Sequence, residues 1–383
     1  MKLIAAATLA AGLAGAPFAH AQLAVSANDN KVVLDNGVVK TVANPAPDTV
    51  SVIDLGQFPP KLLAEIAVPT SVVGPPLSVA VAPDESIALV TAAEKIDPKD
   101  PTKRIPDNRV SVIDLRASPP RVIATLEAGA GAAGVSINRA GTLAIVANRA
   151  EGTVSTFTIS GWTVTHTGKI KLGDAASGPS HVVFTPDGKR ALVTRDGDNG
   201  ITLLAIDGAK VTATDRTFYA GLRPYGIDIG PRGDIAVVAN VGRGNGDADT
   251  ISVIDMRADP PRTVDTITAG ATPEGIKISP DGKFVSVLIH NGTGKPLNSP
   301  FYNAFGKVLL YAVNGLRLTK VSEARIGRWS QGMAFSGDSK TLLVQNMVEK
   351  NIQVFRIEGD ELRETLHQIP LKGGGAAIRT AEK

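Results

Sequence analysis

The chain repeats one short segment in three near copies, Asp48-Thr-Val-Ser-Val-Ile-Asp-Leu55, Asn108-Arg-Val-Ser-Val-Ile-Asp-Leu115 and Asp249-Thr-Ile-Ser-Val-Ile-Asp-Met256. Weaker copies occupy residues 152–159, 199–206, 307–313 and 351–357, which makes seven. The β-branched residues in each copy are typical of a strand. A chain of 383 residues would by length alone be expected to form two or more domains, but the repeats take precedence over that expectation.

Turn signals precede most of the copies, at residues 82–85, 138–141, 185–188, 230–233, 279–282 and 336–339. Pro presets φ in such turns, and Asp and Gly permit the tight reversal. Each repeat is therefore predicted to hold four strands: an inner strand, a second strand, the Val-Ser-Val-Ile-Asp strand, and an outer strand such as 61–68 or 262–269. Four short strands in a repeat of about 44 to 57 residues are typical of a propeller blade.

The two ends of the chain complement each other. Residues 23–28 resemble second strands such as 143–148, so the first repeat lacks an inner strand. Residues 373–381 resemble the inner-strand segment 131–138. The sequence thus predicts an all-β, seven-bladed β-propeller of four-stranded blades, in which the C-terminal strand joins the N-terminal blade and no edge of the ring stays open.

The N-terminus has the pattern of an export signal. Lys2 precedes an apolar run that ends in Ala19-His20-Ala21, and small residues at these positions are typical of a cleavage site. We therefore expect a signal peptide over residues 1–21, a single propeller domain over 22–383, and a periplasmic or secreted protein. No later segment approaches the ~20 apolar residues of a membrane span.

Composition excludes several classes of function. The 40 Lys and Arg residues nearly balance 37 Asp and Glu residues and are scattered along the chain, so no nucleic-acid partner is expected. The chain has no cysteine, which excludes disulfides, thiolate metal sites, cysteine nucleophiles and c-type haem attachment. The fold must be stabilised by packing.

The repeats resemble those of the YVTN-type and lactonase-like seven-bladed propellers over nearly the whole chain after residue 21. That broad group includes sugar-lactone hydrolases, cytochrome-associated propellers and proteins without an assigned activity. No motif in this sequence carries a known catalytic residue onto a numbered position. The resemblance therefore implies the fold, and the function has to be argued from a site.

Propeller topology predicts where that site lies. Loops that enter inner strands and loops that leave second strands meet on one face, around the mouth of the central channel. Side chains that depart from the repeat there are the ligand-binding candidates: His181, Arg195, Tyr225, Glu274, His290 and Gln331, with Arg223 and Trp329 just upstream. Such convergence predicts a small polar or anionic ligand; the alternative is a solvated rim of inter-blade salt bridges.

Further candidates come from the second-strand ends and from long loops. Asn240 and Asn346 end second strands and are either ligand contacts or loop caps that bond their own backbone. The loops 92–108, 240–249 and 291–306 are unusually long. The last contains the aromatic segment 299–303, with Tyr302 as a ligand-binding candidate, and is either a lid or a structural cover of the channel.

Two classes of function follow from these residues. In a lactonase-like hydrolase, Glu274 and His290 would be the catalytic acid and base and Arg195 or Arg223 would stabilise an oxyanion. His181, Glu274 and His290 are also candidate ligands of a divalent metal cofactor. The alternative is a non-catalytic, protein-interaction or scaffolding propeller that presents its loops to a periplasmic partner. Haem bound without covalent attachment, through His181 or His290, is a third and weaker alternative.

Overall fold

The computed structural model describes residues 22–383, which form seven four-stranded antiparallel sheets in a ring. From the inner to the outer edge, blades 1 to 4 consist of β32 (Gly374–Thr380), β1 (Leu23–Asp29), β4 (Thr49–Asp54) and β5 (Lys61–Ala67); β6 (Val79–Val81), β7 (Ile87–Thr91), β10 (Arg109–Asp114) and β11 (Arg121–Glu127); β12 (Ala132–Ile137), β13 (Leu143–Asn148), β14 (Thr153–Ser160) and β15 (Thr163–Lys171); and β16 (Pro179–Phe184), β17 (Arg190–Arg195), β18 (Gly200–Asp207) and β19 (Lys210–Tyr219).

Blades 5 to 7 repeat the same order. They consist of β20 (Pro224–Ile229), β21 (Ile235–Asn240), β22 (Asp249–Asp255) and β23 (Arg262–Gly270); β24 (Pro273–Ile278), β25 (Phe284–Ile289), β26 (Gly306–Asn314) and β27 (Arg317–Ile326); and β28 (Ser330–Phe335), β29 (Thr341–Asn346), β30 (Asn351–Glu358) and β31 (Glu361–Pro370). Two hairpins, β2 (Val32–Asp35) with β3 (Val38–Thr41) and β8 (Glu94–Asp97) with β9 (Asp100–Pro106), and a short 3-10 helix, Ala175–Ser177, complete the elements.

The ring closes through the C-terminal strand. β32 pairs antiparallel with β1, from Ala24 opposite Thr380 to Asp29 opposite Gly374. On its two sides, β32 also contacts the inner strands β28 and β6 of the neighbouring blades. The prediction of seven blades and of closure by the C-terminal segment is confirmed, and no blade of the ring is left with an unpaired inner strand.

The core lies between neighbouring blades. Alternate residues of each strand point to opposite faces. One face of a blade packs against the preceding blade and the other against the following blade, so the strands are apolar on both sides. Between blades 2 and 3, for example, Leu89, Val110, Val146 and Phe157 pack together, and all four are fully buried. This sheet-on-sheet packing accounts for the continuous Val, Ile, Leu and Ala runs of the repeat.

The Asn and Ser of the repeat bond to each other within a blade. The side-chain Nδ2 of the Asn that ends or nearly ends the second strand donates to the Ser hydroxyl of the third strand, from Asn28 to Ser51 over 2.9 Å, from Asn148 to Ser155 over 2.9 Å and from Asn240 to Ser252 over 3.0 Å. In blade 7 the same bond runs from Asn346 to Gln353 Oε1 over 2.8 Å. These residues therefore bond the neighbouring strand rather than their own backbone.

Two hairpins are additions to the blade pattern. The predicted long loop 92–108 contains β8 and β9, and the segment after β1 forms β2 and β3, which was not predicted. Asn36 and Gly37 connect β2 to β3 with φ of 43° and 79°, as a two-residue hairpin turn requires. An Asn-Gly pair flanked by valines was the available signal for this hairpin in the sequence.

The predicted signal peptide, residues 1–21, lies outside the described residues. Within residues 22–383, no helix is long and apolar enough to span a bilayer.

Gln345 links blade 7 to the closing blade, and its loss should weaken the ring. Its Nε2 donates to Ser26 Oγ over 2.7 Å and to Ala377 O over 3.0 Å, and its Oε1 accepts from Gly332 N over 3.2 Å. Because Gln345→Ala leaves buried groups without partners, we expect it to lower the free energy of unfolding by about 1–3 kcal/mol. Urea denaturation measures this loss. The exposed Gln57→Ala is the control, expected to change stability by less than about 0.5 kcal/mol; equal effects of the two changes would contradict the account.

Candidate functional site

A cavity of about 510 Å³ lies at the mouth of the channel, where the loops before the inner strands meet. We call it the mouth cavity. Its lining includes Val39, Arg104, Arg149, Arg223, Tyr225, Arg243, Thr272, Glu274, His290, Trp329 and Gln331. These residues come from six of the seven blades or from their hairpins, so the cavity exists only when the ring is closed.

The residue before the inner strand is held in the left-handed region in five successive blades. In blades 3 and 4 it is Gly131 and Gly178, with φ of 72° and 59°. In blades 5, 6 and 7 it is Arg223, Thr272 and Trp329, with φ of 56°, 58° and 48°. Bulky and β-branched residues rarely adopt this conformation, which costs of order 1 kcal/mol or more. All three line the mouth cavity. Glycine is therefore replaced, at a cost in backbone strain, in the three blades where the residue at this position lines the cavity.

Bulges direct the next side chains inward. The pairing of each inner strand with its second strand shifts register near the mouth end in every blade except blade 2. A bulge re-aims the side chains beside it. In blades 5, 6 and 7 the second residue of the inner strand falls within this bulge, and there it is Tyr225, Glu274 and Gln331. The bulge thereby places a phenol, a carboxylate and an amide in the cavity wall.

Glu274 and His290 lie in direct polar contact. His290 Nε2 lies 2.9 Å from Glu274 Oε2 and 3.0 Å from the carbonyl oxygen of Ser330. Both neighbours are acceptors, so the proton of a neutral His290 resides on Nε2 and Nδ1 is the nitrogen left to accept a proton. With its amide nitrogen turned toward the carboxylate, Gln331 donates to Glu274 Oε1 over 3.0 Å and accepts from Trp329 Nε1 over 3.1 Å. Each carboxylate oxygen of Glu274 thus lies beside a nitrogen of His290 or Gln331.

Asp196 organises the cationic side of the cavity across three blades. Its Oδ2 lies 2.8 Å from Arg149 Nη2 and 2.9 Å from Arg223 Nη2, and Arg149 Nη1 also contacts its Oδ1. Burial alone would raise the pKa of Asp196, but hydrogen bonds and charge from Arg149, together with bonds from Ser180 and Arg223, outweigh burial and hold that pKa below its ordinary value. Asp196 stays ionised and fixes both guanidinium groups.

Two further arginines complete this side. Arg104, from β9, is paired with Glu94 at 2.9 Å. Arg243, from the loop between β21 and β22, has no hydrogen bond or ion pair with any residue of 22–383. The Arg149 guanidinium carbon lies 5.6 Å from the centre of the Tyr225 ring, and burial raises the pKa of Tyr225, so its phenol stays protonated. The cavity thus has an unmatched positive charge on one side.

The predicted candidates separate into two groups. Arg223, Tyr225, Glu274, His290, Trp329 and Gln331 are brought together in the mouth cavity, whereas His181, Arg195, Asn240, Tyr302 and Asn346 do not line it. Arg195 instead donates from Nη1 to the carbonyl oxygen of Leu172 over 2.8 Å, in the place that the Asn residues occupy in other blades. It does not reach the cavity where an oxyanion would form.

His181 lies deeper in the channel. It is fully buried, and its Nε2 lies 3.3 Å from Arg379 Nη2. Burial and the positive charges of Arg379 and Lys277 lower the pKa of His181 well below its usual value, so it is neutral. Lys277 Nζ lies 3.0 Å from Asp228 and also binds Glu382. This charged cluster lies outside the mouth cavity and lines a second cavity of about 180 Å³.

The predicted metal ligands are not assembled into one site. Glu274 and His290 contact each other, and His181 contacts Arg379 instead of either of them. Within the described chain, no group of three or more His, Asp or Glu side chains is placed to hold a metal ion.

Sequence reasoning missed Arg104, Arg149, Arg243 and Asp196. Arg149 and Asp196 each follow directly after the last residue of a second strand, so extending the comparison of strand ends by one residue would have found them. Arg243 lies in the predicted long loop 240–249. The position of Arg104 depends on the pairing of β8 with β9, which the repeat pattern did not predict.

Backbone strain at Thr272 gives a testable prediction. Thr272→Gly should raise the free energy of unfolding by about 1 kcal/mol, because glycine adopts this φ without steric cost. Thr163→Gly, at an exposed position in β15, is the control and should lower it by about 0.5–1 kcal/mol. Both are measured by urea denaturation. A loss of stability in Thr272→Gly equal to that of the control would show that Thr272 is not strained.

Comparisons of the fold agree with this architecture. The sequence matches no protein-family model and no curated protein. Among solved structures, a proposed 6-phosphogluconolactonase from Bacteroides fragilis NCTC 9343 is 16% identical, covers 96% of this chain and 100% of its own, and has a TM-score of 0.71. A similarly proposed enzyme from Bacteroides uniformis ATCC 8492 is 19% identical, with coverages of 94% and 100% and a TM-score of 0.70.

A third neighbour is the periplasmic gluconolactonase of Pseudomonas aeruginosa, 16% identical, with coverages of 94% and 99% and a TM-score of 0.68. At these identities the likeness concerns the fold. It agrees with the resemblance inferred from the repeats. The chain is a seven-bladed β-propeller with the fold of the lactonase-like propellers.

Proposed function

We propose that the mouth cavity binds a small polyhydroxylated acid or its lactone, and that the protein is a lactonase-like hydrolase. The observation that carries this proposal is that the Glu274–His290 pair and four arginines line one cavity. A lactone needs a base for the attacking water, a positive group for the developing oxyanion, and polar contacts for its hydroxyl groups. The cavity offers all three.

The shape and charge of the cavity suit such a ligand. Its volume of about 510 Å³ falls within the range of small-molecule sites. The Arg243 guanidinium is free of protein partners in the described chain, whereas Arg223 donates from Nη2 to Asp196 over 2.9 Å and from Nη1 to Gly242 O over 3.3 Å. Guanidinium groups bind carboxylates and phosphates through paired N–H donors. An acidic product, or an acidic substituent on the lactone, would bind on this side.

In the proposed reaction a water molecule attacks the lactone carbonyl carbon. His290 Nδ1 takes one proton of that water, and Glu274 holds the imidazole at Nε2 and stabilises the imidazolium that forms. The carbonyl oxygen becomes an oxyanion, stabilised by Arg223 or Arg243. The bond from the carbonyl carbon to the ring oxygen then breaks, and His290 returns the proton to that oxygen, which becomes the hydroxyl of the product acid.

We also propose that the protein acts in the periplasm. The signal-peptide pattern of residues 1–21 supports this location, and one fold neighbour is described as a periplasmic enzyme.

A second candidate function, a scaffold for a periplasmic partner protein, is favoured by one observation. The β2–β3 hairpin and the blade 6 loop that it contacts expose large apolar side chains: Val33, Val38 and Leu297 are 42%, 54% and 68% exposed. Exposed apolar groups that lie together are a feature of protein-interaction sites. The hydrolase remains the first proposal because a scaffold does not require the strained arginine and tryptophan inside the cavity.

Hydrolysis assays test the proposal. With D-glucono-1,5-lactone and its 6-phosphate as substrates, the wild type should release acid faster than buffer, followed with a pH indicator. Glu274→Gln and His290→Gln should each lower kcat/KM by about 100-fold or more, the usual contribution of general acid–base catalysis. Arg223→Gln should mainly raise KM for the phosphorylated lactone.

Glu349→Gln is the matched control for the Glu274 change. Glu349, in the turn after β29, is likewise a paired carboxylate, bonded to Arg328 at 2.8 Å, but it does not line the cavity, so its loss should leave the rate unchanged. A rate equal to that of buffer for both lactones, or full activity in Glu274→Gln, would exclude the proposed hydrolysis of these lactones.

A further inference from the structure

The hairpin β2–β3 spans the mouth face from blade 1 to blade 6. It leaves blade 1 between β1 and β4, and at its tip Asn36 Oδ1 accepts a hydrogen bond from Leu297 N over 2.8 Å. Leu297 belongs to the loop between β25 and β26 in blade 6. Blade 7 stands between these two blades, and Val32 packs there against Met347, with Trp329 beside them. We call residues 32–41 the strap.

The base of the strap is firmly anchored. Lys31 is 6% exposed, and its Nζ binds Asp48 Oδ2 over 2.5 Å and the carbonyl oxygen of Thr70 over 2.7 Å. Val42 N bonds Lys31 O over 2.8 Å and closes the hairpin. A buried ion pair with satisfied hydrogen bonds fixes its geometry, so the two ends of the strap do not move apart from blade 1.

The tip is held by much less. The Asn36–Leu297 bond is exposed to solvent, and the Lys40–Asp35 ion pair within the strap is also exposed. Exposed hydrogen bonds and ion pairs contribute little to stability. A Cβ on Gly37 would lie 2.3 Å from Pro296 N, so only glycine allows the tip to approach the blade 6 loop this closely. The tip therefore has a fitted contact that costs little to break.

Val39 connects this contact to the cavity. It lies in β3 and lines the mouth cavity together with Trp329, and β3 also contacts β9, which supplies Arg104. Movement of the tip away from Leu297 would withdraw Val39 from the cavity wall and widen the opening on that side.

We propose that the strap is a gate of the mouth cavity, which pivots at its anchored base and is latched at its tip by the contact of Asn36 and Gly37 with residues 295–297. Segments with a lightly held tip on a fixed base open locally at small cost in free energy. The gate controls access to the cavity whichever ligand binds there, so this inference does not rest on the proposed lactonase activity.

The chain itself supplies the means to test the gate. It has no cysteine and only two tryptophans, Trp162 and Trp329. In a Trp162→Phe background, Trp329 in the cavity wall becomes the only tryptophan and reports access of a neutral quencher, acrylamide. Asn36→Cys with Leu297→Cys then allows a disulfide across the latch. The control pair is Asp35→Cys with Val38→Cys, which face each other within the strap. Its disulfide would link the two strands of the strap to each other without linking the strap to blade 6.

We expect the oxidised latch variant to show several-fold weaker quenching of Trp329 than its reduced form, and the control pair to show no redox difference. Asn36→Ala, which removes the acceptor at the latch, should increase quenching above that of the Trp162→Phe parent. Equal quenching of the oxidised and reduced latch variants, with the disulfide verified by mass, would overturn the gate. Unchanged quenching in Asn36→Ala would overturn the role of its hydrogen bond as the latch.

Discussion

The site depends on the antiparallel pairing of β32 with β1. The mouth cavity is not contained in any blade. It forms where the inner strands of different blades meet, so it requires that the last residues of the chain return to the first blade and complete the ring. Gln345 reinforces this closure with a buried side chain that bonds residues of both ends, Ser26 and Ala377. The same ring brings Arg149, Asp196 and Arg223 from three successive blades into one ion-paired group.

Given a closed ring, the polarity of the cavity follows from small departures from the repeat. In blades 3 to 7 the residue before the inner strand has a left-handed backbone, which glycine adopts in blades 3 and 4, whereas Arg223, Thr272 and Trp329 adopt it in the next three blades at a steric cost. Strain of this kind persists where the surrounding structure enforces it and often marks functional sites. The bulge that follows then turns Tyr225 and Glu274 into the same space. The fold provides the positions, and the strained or bulged residues provide the chemistry.

Much of the fold could be predicted from the sequence because the repeats carry it. The Val-Ser-Val segment, the turn residues and the likeness of the two chain ends specify seven blades and their closure. The site was predicted in part, since Glu274, His290, Arg223 and Trp329 depart from the repeat at aligned positions. Arg195 departs from it too, yet its side chain bonds Leu172 O and does not line the mouth cavity. Contacts between distant segments, such as Asn36 with Leu297 or His181 with Arg379, depend on three-dimensional placement that the repeat does not encode.

The most direct test of a site built from the Glu274–His290 pair and the arginines of the same cavity is a crystal structure of the full chain with D-gluconate, the acid that glucono-lactone hydrolysis would release. We expect the gluconate carboxylate within hydrogen-bond distance of Arg223 or Arg243 and a hydroxyl group within the same distance of Glu274 or His290. A mouth cavity without gluconate at saturating concentration, or gluconate bound elsewhere on the propeller, would contradict this account of the site.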